Sequence, residues 1–198
     1  MPFTICLLVI ILGYTWVVDA FVDARGIWRQ APTILVLAGV IAHNIRTGEW
    51  GFSRRAFLPA LVWTALLTTP IALALWFIGH AMGPAPPRVA PWLDFLYLIF
   101  WGGGQQWALQ TVVLREAQRV SRRAAVPLAA GIFAALHLPN PFLTTVTAVG
   151  GLAWCWIYSR SPNIIPLALS HAASTLVILI SFDPRITGGL RTGWAYLN

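Results

Sequence analysis

Three sets of polar side chains sit in stretches that are otherwise almost wholly apolar. Gln105, Gln106 and Gln110 fall in "GGGQQWALQ", Phe133 and His137 in "GIFAALHLPNP", and His171 and Thr175 in "LSHAAST". Imidazole exchanges a proton near neutral pH, so two histidines can supply a general base and a hydrogen-bond donor, or two metal-ligand nitrogens. A neutral amide has almost no basicity and can only orient or stabilise. On a helix, residues four apart share a face, which pairs Gln106 with Gln110, Phe133 with His137 and His171 with Thr175. Gln105 is turned about 100° from Gln106. A lone glutamine or histidine in hydrocarbon often only bridges two helices, by a hydrogen bond worth about 0.6–2 kcal/mol. Three sets on the C-terminal helices point instead to one shared polar cavity. His43 and His80, at the ends of apolar spans, read as interfacial and structural. The glycines at 102–104 and 150–151 read as places of close helix packing.

The elements that must position these residues are membrane helices. The chain has 198 residues, of which 58% are hydrophobic and only 10% charged, with a mean hydropathy of +0.73. A soluble domain carries roughly 25% charged residues. An all-α fold follows: a polytopic transmembrane bundle of about seven helices around a polar intramembrane cavity, forming a single domain over residues 1–198. The candidate spans are residues 3–20, 31–47, 56–82, 91–119, 124–138, 142–158 and 163–182. Pro127 and Pro166 suit first turns of helices. Pro139 and Pro141 stop the fifth span, and Pro70 predicts a kink in the third. "GPAPPRVAP" is an aqueous loop. The N-terminus lacks a basic leader and reads as a retained span rather than a signal peptide.

Cys6 and Cys155 both lie in apolar spans, which excludes a disulfide framework or a zinc finger. All 13 basic residues are arginines. They fall between spans, so the net charge of +7 reflects membrane topology and not nucleic-acid binding. One side holds Arg46, Arg54, Arg55, Arg115, Arg119, Arg122, Arg123 and Arg160. The other holds Arg25, Arg29, Arg88, Arg185 and Arg191. The richer side is expected in the cytoplasm, with the N-terminus inside. Trp28, Trp50, Trp92 and Trp194 are expected as interface anchors. Asp19, Asp23, Glu49 and Asp183 are in or beside loops. Asp94 and Glu116 each lie about 16 Å along the helix from Gln105, and Glu116, between Arg115 and Arg119, reads as a solvated ion pair.

Residues 92–182 resemble the CAAX protease and bacteriocin-processing (CPBP) family, also called the type II CAAX prenyl endopeptidase family of intramembrane endopeptidases. The family pattern is EExxxR on one helix, FxxxH on the next and HxxxN or HxxxD on a later one. Here "QQWALQ" occupies the first motif, "FAALH" matches the second, and "HAAST" matches the third except at Thr175. The resemblance implies that Gln105 and His137 stand at the attacking water and that His171 and Thr175 stand at the oxyanion. It also implies that Gln106 and Gln110 replace a buried ion pair, with Phe133 in support. It leaves open a divalent metal such as zinc on His137 and His171, weakened by the loss of the motif carboxylates.

Losing both partners of an ion pair together avoids an unpaired buried charge, so the pattern reads as coordinated divergence. Two functions follow. One is a divergent intramembrane endopeptidase that cuts a membrane-associated peptide or protein with water activated at a His137/His171 site. The alternative is a catalytically impaired pseudoprotease that binds a peptide, lipid or partner in the same cavity. Expected partners are membrane lipid and a membrane-bound peptide or protein substrate, with no nucleic acid. The expected location is a bacterial inner (plasma) membrane. Haem-based electron transfer is disfavoured, since no helix carries two well-spaced histidines. A transporter is disfavoured by the lack of an internal repeat or membrane carboxylate.

Overall fold

The computed structural model describes residues 1–21, 30–83 and 85–198. Asp23, Arg25, Trp28 and Arg29 lie outside the described residues. Among the described residues seven helical segments overlap the seven stretches expected as spans. They are α1 (Pro2–Phe21), α2 (Ala31–Thr47), α3 (Phe57–Met82), α4 (residues 91–120), α5 (Ala125–Ala135), α6 (Pro141–Arg160) and α7 (Ile164–Ser181). Two short helices follow, α8 (Pro184–Thr187) and α9 (Trp194–Leu197). No strand occurs among the described residues. By length and apolarity α1, α6, α7 and the segment Arg54–Met82 can each cross a membrane.

The helix starts are written locally. Proline occupies the first turn of α1, α2, α4 and α6, where its missing N–H would have no helical partner anyway. Asn140 caps α6 by accepting from Leu143 N at 3.0 Å, and Asn163 caps α7 by accepting from Ile165 N at 3.0 Å. Gly48 ends α2 with φ 71°, a left-handed conformation that costs glycine little. Helix α3 runs through Pro70 as one helix.

Helix α7 is the centre of the bundle. It packs most extensively against α4 on one side and α3 on another, while α5 pairs with α6. Small residues let these backbones meet. A Cβ on Gly79 of α3 would stand 2.7 Å from the Ser181 carbonyl oxygen of α7, and one on Gly151 of α6 would stand 3.3 Å from Ala130 of α5. Without a hydrophobic drive between helices in lipid, such close packing is what holds a bundle together. Outward faces stay apolar, as at Val9, Leu58, Phe77 and Phe100, all more than half exposed. At one end the 48–56 loop is pinned to the α6–α7 junction. Gly51 O accepts from Ile164 N, Ser53 O accepts from Asn163 Nδ2, and Glu49 accepts from Arg115 at 2.7 Å and from Tyr158 OH at 3.1 Å.

Four expectations change. The fifth helix ends at Ala135 rather than 138: the chain tightens into turns, with His137 N bonded to Ala134 O and Leu138 N to Ala135 O, and Pro139 has no N–H to carry the helix on. Helix α4 contains a π-helical stretch, Leu109–Leu114, that no spacing rule signals. Glu116 is not a solvated ion pair. It is 3% exposed, and its carboxylate accepts from Phe3 N (3.3 Å) and Thr4 N (2.9 Å) at the start of α1. His43 is not interfacial but buried, edge-on to Phe3 at 5.1 Å. His80, expected at an interface, is exposed, and its Nδ1 meets Trp76 O.

Candidate active site

A cavity of about 1090 Å³ runs through the bundle. Gln105 from α4, Phe133 from α5, His137 from the turn after it, and His171 and Thr175 from α7 all line it. Gln106 and Gln110 do not. They are fully buried behind the cavity wall. The Phe133 ring touches both imidazoles, T-shaped to His137 at 4.9 Å and to His171 at 6.1 Å.

Hydrogen bonds fix the proton on each imidazole. His137 Nδ1 is 2.8 Å from Phe133 O. A carbonyl only accepts, so Nδ1 carries the proton and Nε2 keeps a free lone pair. His171 has the opposite arrangement. Gln110 Nε2 donates to Gln106 Oε1 at 2.9 Å, and Gln106 Nε2 donates to His171 Nδ1 at 3.2 Å. Its Nδ1 therefore accepts, and its proton sits on Nε2. One cavity thus holds one imidazole built as a base and one built as a donor. The three glutamines divide accordingly: Gln105 faces the cavity, while Gln106 and Gln110 set the state of His171.

The glycines and a tryptophan hold the His171 ring in place. A Cβ on Gly102 would come within 3.2 Å of the His171 ring, so the first of the three glycines is the space that the imidazole fills. Trp154 of α6 stacks on its other face at 4.6 Å and 23°, with its indole N–H bonded to Ser170 Oγ. Gly150 leaves room for that indole, since a Cβ there would stand 2.9 Å from it. The turn carrying His137 is held by Asn140, whose side-chain N–H donates to Thr187 O (2.8 Å) and Arg191 O (3.0 Å) of the C-terminal segment. Sequence reasoning missed Trp154, which resembles any apolar helix residue, and the second role of Asn140. Its place between Pro139 and Pro141 carries no signal of those two bonds.

Residues 87–177 match the family model described as type II CAAX prenyl endopeptidase Rce1-like. Over these residues, a little under half of the chain, the sequence is similar to the Rce1-like family. The match spans α4, α5, α6 and most of α7, and takes in every cavity residue named above. No curated protein and no solved structure gives a match. At family level the match supports a CAAX-protease-like intramembrane endopeptidase, and with the apolar helices it supports an integral membrane protein.

A catalytic zinc takes three protein ligands. Among the described residues no three His, Cys, Asp or Glu side chains come together, Gln105 offers only an amide, and His171 Nδ1 already accepts from Gln106. The residues present do not fit a zinc ion. Two carboxylates do line the same cavity, Asp19 and Asp94. Asp94 is committed to an ion pair with Arg88.

Proposed function

We propose that this chain is a divergent intramembrane endopeptidase that hydrolyses a membrane-associated peptide or protein at His137 and His171, in a bacterial inner membrane. The observation that carries this reading is the opposite protonation of the two imidazoles on one cavity. In the proposed reaction, His137 Nε2 takes a proton from water as the oxygen attacks the scissile carbonyl carbon. The oxyanion accepts from His171 Nε2–H, with Thr175 one turn further along α7. Protonated His137 then gives its proton to the leaving amine as the C–N bond breaks. Gln105 can hold the water through its amide but cannot take its proton, so the rate is expected below that of a site with a carboxylate there. General base catalysis contributes about 10²–10⁴-fold. The family name suggests a prenylated substrate, and the cavity's apolar walls at Leu7, Leu37 and Leu75 are compatible with one.

A second reading rests on Gln105 itself. A neutral amide at the water position favours a pseudoprotease that binds a peptide, lipid or partner without cutting it. One experiment separates the two. The chain is reconstituted in lipid and given a library of membrane-anchored and prenylated peptides, beside His137→Ala. Cleavage that His137→Ala abolishes supports the enzyme. Binding without cleavage, unchanged in His137→Ala, supports the pseudoprotease and sinks the enzyme.

A further inference from the structure

A second concavity lies on the outside of the bundle, between α3, α5 and α6. It has a volume of about 550 Å³, and its walls are apolar: Trp63 and Leu67 of α3, Val126 of α5, and Leu152, Ala153 and Trp156 of α6. Trp63 and Trp156 meet edge to face at 5.2 Å and build one side of it. Ile71 lines both this groove and the central cavity. An apolar groove facing the bilayer accepts hydrocarbon.

The groove has a charged end. Arg160 lies over the Trp156 ring at 3.8 Å. Stacking uses the face of a guanidinium and leaves its N–H edge for an anion. Arg122 and Arg123 stand just before α5, within a turn or so of Val126, and Arg54 and Arg55 head α3. All five arginines are exposed. The ion pairs among the described residues use Arg88, Arg115 and Arg185, so none of these five faces a carboxylate there. Apolar walls that end in uncompensated guanidinium groups complement an anion carrying a hydrocarbon chain.

We propose that this groove is a site for one anionic phospholipid. An acyl chain lies along the Trp63–Trp156 wall, and the phosphate is held by Arg160 with Arg122 and Arg123. A free phosphate would leave the groove empty, and a zwitterionic lipid would leave the cationic end without a net counter-charge.

Native mass spectrometry of the full chain tests this. The protein is released from bilayers of phosphatidylcholine containing a minority of phosphatidylglycerol. One phosphatidylglycerol is expected to stay bound in preference to phosphatidylcholine. The preference should fall about fivefold per arginine removed, in Arg160→Gln and in Arg122→Gln/Arg123→Gln. Ala153→Phe, which fills the groove, should lower retention of both lipids. Excess inorganic phosphate should not displace the lipid. These arginines are exposed, so melting temperatures should match the parent's and exclude loss of fold as the cause. Equal retention of the two lipids overturns the proposal. So does a preference that survives removal of all three arginines, or a chain dimer that protects the groove.

Discussion

At the residue scale, the site depends on which ring nitrogen carries the proton. Gln106→Leu removes the donor that holds His171 Nδ1 as an acceptor. The ring is then free to turn its donor away from the cavity. Losing one oxyanion donor costs about 10²–10³ in kcat, so kcat should fall by that order with KM little changed. Nitrogen-15 NMR of labelled histidine should show the tautomer ratio of one imidazole shifting with it. If the spectrum and kcat both match the parent, Gln106 has no part in setting the proton. Gln105→Glu should act in the opposite direction, restoring a carboxylate beside the water and raising turnover in a peptide assay. The residues that line the cavity were legible because polar side chains in hydrocarbon stand out, and because i, i+4 spacing declares a common face. The resemblance divided the glutamines, but it did not give His171 as the partner of Gln106. Gln105 and Gln106 are neighbours in sequence, but one faces the cavity and the other the back of His171, and that choice is made by α7. Trp154 was silent for the same reason: stacking on His171 is a property of two helices together.

At the scale of elements, hydropathy and proline placed the helices well, because both act within a few residues. The errors fell where a distant segment decides. Glu116 is flanked by two arginines in sequence, yet its partners are the backbone N–H groups of Phe3 and Thr4, more than a hundred residues away. The π-helical stretch accounts for this. A π turn holds an extra residue, which rotates the rest of α4 by about 100°. An unbroken α-helix would put Glu116, eleven residues on, nearly in line with Gln105. As built, it faces α1. Glu116→Ala should cost about 1 kcal/mol, as loss of a helix cap does, seen as a lower melting temperature and faster proteolysis near α1. Gly79→Ala should cost more, about 1–3 kcal/mol, because its Cβ would press on the Ser181 backbone rather than on a movable side chain.

At the scale of the molecule, the C-terminal segment braces the site from outside the membrane helices. It docks through Asn140, and Gly193 N donates to Leu138 O on the turn that carries His137. Asp183 starts this segment. The Arg185 guanidinium, and then the Arg185 backbone N–H, hold its carboxyl down to about 2. A depressed carboxyl contributes above its unfolded value, near 4, and that contribution fades as pH falls toward 2. Docking of the segment should therefore be indifferent to pH above about 4 and loosen below it, which proteolysis of the C-terminal residues across a pH series would reveal. Loosening already at pH 6 would mean that another group holds it. The same scale gives Ile71 its weight. It is the one residue named here that lines both the central cavity and the outer groove, so the two spaces meet at its side chain. Shortened to glycine, it becomes a window, through which a greasy tail could slide sideways from the bilayer without ever meeting water.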